Sequence, residues 1–122
     1  MDPIRKSRIE SAIIRTLASH FVSGKVKDPR IQLVSIHRAS ISPDLSLVKV
    51  WVTSYCDEKG KKRLLDALKH ASGYLQSVIS NELKLRETPK LLFIWDEEYI
   101  KSLEVNELID RSKPALLQEE ES

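Results

Sequence analysis

Ala71-Ser72-Gly73 places a bare glycine backbone and a hydroxyl inside a segment whose apolar residues recur at helical spacing. Leu64, Leu65, Leu68 and Ala71 precede the glycine, and Leu75, Val78, Ile79 and Leu83 follow it. The chemistry open to such a tripeptide is close approach to a phosphate. Glycine within a helix costs roughly 0.5–1 kcal/mol relative to alanine, so the spacing predicts a break or kink at Gly73. Two short helices would then span residues 61–83. Free N–H groups at the start of the second would face an anion. The plainer alternative is that the kink only bends the helix pair over a sheet, and on the residues alone it is preferred.

Cations gather around this segment. Lys59, Lys61, Lys62 and Arg63 stand in a charged loop leading into the helices, Lys69 and His70 precede the kink, and Lys84, Arg86 and Lys90 follow the second helix. They could track phosphates, each neutralised phosphate adding about 0.7–0.9 to the salt dependence of binding. Asp57, Glu58, Asp66, Glu82 and Glu87 are interspersed, so a solvated charged surface is the competing reading. Tyr74, next to the glycine, is a candidate for base stacking. Trp51, Tyr55 and Trp95 could also stack on bases if a sheet face is free, although packing is preferred for all four aromatics. In Lys27-Asp28-Pro29-Arg30 a fixed turn is preferred to direct contact by Lys27 or Arg30.

Bond-making chemistry finds little support. His20, His37 and His70 are scattered and Cys56 is the only cysteine, so no metal-ligand spacing emerges. Gly60-Lys61-Lys62 lacks the upstream glycine and the Ser or Thr of a phosphate-binding P-loop. No Gly-x-Ser-x-Gly elbow is present. Asp96, Glu97 and Glu98 read as a helix cap. No catalytic residue, metal or cofactor is implied.

The elements that must position these residues are legible from the pattern. Asp2 and Pro3 open a first helix with Ile9, Ala12, Ile13, Thr16, Leu17 and Phe21 on one stripe, and Gly24 suits its end. A strand over 31–41 slips in alternation near His37 and Arg38, which predicts a bulge. Ser42-Pro43-Asp44-Leu45-Ser46 is a turn. Residues 47–55 alternate most clearly, with Val48, Val50 and Val52 on one face, and should pair with the first strand as an antiparallel hairpin. After the helical segment, Leu91 to Trp95 form a third strand, which the long crossover allows to lie parallel to the second. Asp96 caps a short final helix docked weakly by Ile100, Leu103 and Leu108.

The result is an α+β domain: helix, strand, strand, kinked helix pair, strand, with helices covering one face of a three-stranded sheet. A chain of 122 residues suits one domain, here 1–110, followed by an acidic and flexible tail, 111–122. Without Glu119, Glu120 and Glu121 the formal charge of +2 becomes +5, a mildly basic body that permits a polyanionic partner. A lone cysteine, no signal-type apolar run and no membrane-length segment predict a cytoplasmic protein. Nothing in the pattern asks for more than a monomer.

Two helices joined at a tight glycine and packed on such a sheet suggest a KH-type nucleic-acid module, with Ala71-Ser72-Gly73 where a KH domain usually carries Gly-x-x-Gly. At this point the chain resembles the ribosome-binding factor A family over residues 5–108. Arg5-x-x-Arg8-Ile9, Lys27-Asp28-Pro29-Arg30-Ile31, Ser42-Pro43-Asp44-Leu45 with Lys49-Val50-x-Val52, Ala71-Ser72-Gly73, and Leu85-Arg86-x-x-Pro89-x-Leu91-x-Phe93-x-x-Asp96 fall in the family's order. The resemblance implies a type II KH-like fold and a non-enzymatic factor. Such a factor binds the immature small (30S) ribosomal subunit and its 16S-type rRNA, and supports late rRNA processing and maturation, including in the cold. The short acidic tail departs from relatives with a long C-terminal extension. The expected RNA contacts are Lys61, Lys62, Arg63, Lys69, Ala71, Ser72, Gly73, Lys84 and Arg86, with Arg5, Arg8 and Arg30 as additions. The alternative is a protein–protein adaptor using the exposed sheet face and final helix, which an apolar patch around Trp51 and Trp95 would favour.

Overall fold

The computed structural model of the chain describes residues 2–23 and 34–112. Asp2 caps the first helix, α1 (Pro3–Val22), by accepting the Ile4 N–H at 2.9 Å, with Pro3 at the first helical position. Its apolar stripe buries Ile13, Leu17 and Phe21, and also His20. Gly24, the 27–30 turn with Arg30, and residues 31–33 of the expected first strand lie outside the described residues, as do residues 113–122 of the tail.

Strand β1 (Ser35–Ile41) pairs antiparallel with β2 (Leu47–Thr53), and the register shifts between Ile36 and Arg38. The predicted bulge is therefore present, with His37 as the extra residue. In the turn between the strands Asp44 accepts hydrogen bonds from the Ser42 and Ser46 hydroxyls, both at 2.7 Å, and Leu45 adopts a left-handed φ of 63°. These hydrogen bonds pull the Asp44 carboxyl below the usual carboxylate range, to about 2.

Asp57 caps α2 (Glu58–Leu83) by accepting the Gly60 N–H at 2.8 Å. The expected loop at Lys59–Arg63 is thus the start of a helix. The expected break at Ala71-Ser72-Gly73 is also absent, since α2 is one helix of 26 residues. The reason lies in the phase of its apolar residues: Leu64, Leu68, Leu75 and Ile79 are all buried on one stripe, which a break would put out of register. Each such side chain contributes roughly 1.5–3 kcal/mol on burial, against roughly 0.5–1 kcal/mol for the glycine. No free N–H groups are left at Gly73. Lys84 ends the helix in the left-handed conformation, φ 52°, where glycine is usual, and Leu85 N–H bonds to Ser80 O at 3.0 Å.

Strand β3 (Lys90–Trp95) lies parallel to β2, giving the order β1-β2-β3 with β3 at an edge. Val48, Val50 and Val52, all fully buried, face α1 and α2, together with Ile41 and Leu91. Asp96 accepts the Tyr99 N–H at 3.1 Å and starts α3 (Glu97–Ser112), which is longer than its sequence suggested. Helix α3 is held at its first turn by the Arg38–Glu98 and Lys61–Glu97 ion pairs and by His37 stacked on Tyr99 with ring centroids 3.8 Å apart. Among the described residues no helix is long and apolar enough to cross a membrane.

Candidate nucleic-acid interface

Because α2 is unbroken, its side chains fall on fixed stripes. Lys62, Asp66, Lys69 and Gly73 follow one another at spacings of four, three and four residues, so they line one side of the helix. Gly73 is exposed, and a β-carbon placed on it would meet nothing within 4 Å among the described residues. Its bare backbone is therefore not required by anything inside the protein. Ser72 turns its hydroxyl back to the Lys69 carbonyl at 2.7 Å, and Ser77 does the same to Gly73 at 3.2 Å. Both hydroxyl protons are used within the helix, which leaves oxygen lone pairs outward. Ala71 packs partly against the core and supports the stripe from beneath.

Beside this stripe runs a groove of about 420 Å³ between α2 and the free edge of β3. Leu65, Asp66, Lys69, Ser72 and Gln76 form one wall, and Lys90, Leu91, Leu92 and Phe93 the other. Gln76 ties the walls together by accepting the Leu91 N–H at 3.0 Å. An apolar floor with a lysine on each rim suits a strand whose bases are unpaired and whose phosphates face outward. Lys90 is among the cations that the sequence offers for phosphates, although not among the expected RNA contacts, and Gln76 is in neither group. The signal for Lys90 was its position at the head of an edge strand, visible only once β3 had a place in the sheet.

The remaining expected contacts do not line the groove, and of them only Lys62 shares the stripe with Lys69. Lys61 is engaged within the fold: its Nζ lies 3.0 Å from Glu97 Oε1 and 5.4 Å from the Trp95 ring centroid. The hydrogen bond to Glu97 holds the Lys61 ammonium above its usual pKa. Lys62 lies at the rim of a shallow hollow with Glu58 and Asp66. Arg63 is exposed and, six residues before Lys69, points about 120° away around the helix. Lys84 and Arg86 join Arg5 and Arg8 around a separate hollow of about 480 Å³ at the far end of α2.

The aromatics divide as well. Trp51 is aligned with Ile94 on the open sheet face, where the Arg38 guanidinium lies 4.1 Å from its ring centroid. Trp95 is on the opposite face, packed partly against the core. The two tryptophans therefore make no common apolar patch. Tyr55, for which packing was expected, is fully exposed, and Tyr74 is half-exposed with its ring edge toward His20.

Residues 5–109 match the family model described as ribosome-binding factor A. The chain belongs to the ribosome-binding factor A family. A ribosome-binding factor A of Leptospira biflexa is 48% identical over 120 residues, covering 98% of this chain and 80% of the relative. The solution structure of a Thermotoga maritima protein described as a ribosome-binding factor A superposes with a TM-score of 0.67 at 27% identity, over 80% of this chain and 92% of that one. A Thermus thermophilus ribosome-binding factor A, fitted as a homology model into a cryo-EM map of its complex with the 30S subunit, gives a TM-score of 0.58 at 28% identity, over 71% and 90% of the two chains. Within this family's fold the α2 stripe and the α2/β3 groove are the surfaces on which a bare backbone, two lysine rims and an unpaired strand edge coincide.

Proposed function

We propose that this protein binds the small ribosomal subunit through its 16S-type rRNA and assists late maturation of that subunit, including in the cold. The observation that carries the reading is Gly73, an exposed glycine in a helix that gains nothing from it internally, beside the Lys69 and Lys90 rims of the groove. The Thermus thermophilus relative in a 30S complex supports the same partner. The mechanism is binding without bond chemistry. Single-stranded rRNA lies in the groove with phosphates on Lys62, Lys69 and Lys90, and the backbone approaches at Gly73. The protein favours one conformation of the immature rRNA and leaves when the mature form no longer fits, which requires a difference in affinity between the two RNA states. It acts as a cytoplasmic monomer with a KH-like body.

Co-sedimentation of the full chain with purified small subunits across a salt series tests this. Wild type is expected to bind with a steep salt dependence, and a Lys69→Gln, Lys90→Gln variant to lose about 1.4 from the slope. Absence of wild-type binding at low salt would overturn the reading.

A further inference from the structure

We propose that the hollow formed by Arg5, Arg8, Lys84 and Arg86 is a second phosphate-binding surface, separate from the α2/β3 groove and engaging the backbone of the same RNA. This inference rests on the rRNA-binding reading above. The four cations come from the first two turns of α1 and from the segment after α2, and the fold brings them around a floor of Leu45, Leu83 and Leu85. Among the described residues no carboxylate lines the hollow. Among the described residues none of the four takes part in an ion pair, although Lys6 and Lys61 nearby in sequence or on the same helix do. Four like charges held together repel one another, so the arrangement opposes folding and favours an anionic occupant. The three arginine forks match phosphate oxygens in pairs.

An independent observation points to the same place. The two non-glycine residues with positive φ among the described residues are Leu45 and Lys84, and both line this hollow. Glycine would adopt the Lys84 backbone conformation without cost and would close α2 equally well. A lysine there carries conformational strain, and its side chain is what the strain retains.

Lys84, the residue that ends α2, lies fifteen residues after Lys69, about 22 Å along the helix axis. That distance exceeds the screening length of about 8 Å at physiological salt, so the two cationic surfaces act on separate phosphates and their effects on binding should add.

The test uses the full chain and purified small ribosomal subunits, measuring affinity against salt. Lys84→Gly with Arg86→Gln should lower the salt slope by about 1.4 and weaken binding several-fold at moderate salt. Combining it with Lys69→Gln should sum the losses in log affinity. Thermal melting of Lys84→Gly alone should match or exceed wild type, which separates lost binding from lost folding. Unchanged affinity and slope in the double variant, with Lys69→Gln still weakening binding, would overturn the second surface and leave the rRNA reading standing. If wild type fails to bind at low salt, both fall together.

Discussion

A β-carbon added to Gly60 would stand 2.7 Å from the Cys56 Cβ, closer than two such atoms can approach. Gly73, on the same helix, has open space in the same direction. The two glycines of α2 therefore have opposite reasons for being there. Gly60→Ala should destabilise by about 1–3 kcal/mol because the capped first turn has to shift. Gly73→Ala should stabilise by about 0.5–1 kcal/mol while weakening attachment to small ribosomal subunits. Denaturant midpoints of the two variants check the signs, and a destabilised Gly73→Ala would refute the argument that this glycine serves something outside the chain.

Lys61 and Lys69 carry the same charge on the same helix and should behave differently. Lys61 is spent on Glu97, so Lys61→Ala should leave the salt slope of subunit binding unchanged. Lys69→Ala should reduce it by about 0.7. Equal reductions would show that the Glu97 pair opens on binding.

The hairpin turn should be sensitive to acid. Asp44 has its pKa lowered to about 2 by the Ser42 and Ser46 hydrogen bonds. Its contribution to stability is fully present above the ordinary carboxylate range and disappears as pH falls through about 2. Unfolding midpoints measured from pH 5 down to pH 2 should fall more steeply for wild type than for Asp44→Asn, and parallel curves would contradict the assignment.

Cys56 is exposed yet should be a slow nucleophile. Partial burial of the sulfur, and then the charges of Asp57 and Glu58, raise its thiol pKa above the usual value. Alkylation by iodoacetamide near pH 8 should be slower than that of a free thiol in solution, and Glu58→Gln should speed it. A rate at or above the free-thiol value would remove the electrostatic account.

Much of this fold was legible in the sequence because its signals are periodic. The β2 alternation, the slip at His37, the Asp2 and Asp96 caps and the parallel third strand all follow from local pattern and crossover length. The break expected at Gly73 follows from the propensity of one residue, whereas the phase of Leu64, Leu68, Leu75 and Ile79 across the glycine implies one continuous helix. The candidate site was less legible. Sequence proximity groups Lys61, Lys62, Arg63 and Lys69, but helical geometry keeps only Lys62 and Lys69 on one side, turns Arg63 away, and Glu97 claims Lys61. Conversely, Arg5 and Arg86 lie at opposite ends of the core sequence, and only the packing of α1 near the end of α2 brings them to one hollow.

The parallel pairing of β3 with β2 also sets an order of assembly. The hairpin of β1 and β2 closes over five residues, whereas β3 reaches β2 only after the whole of α2 has been laid down between them. Contacts of long sequence separation form late, so the edge strand should dock last and open first. The groove wall it supplies then exists only in the completed molecule, and a loosened chain would lose the groove before it lost its helices. Amide exchange at Phe93 faster than at Val50 would be the mark of that order.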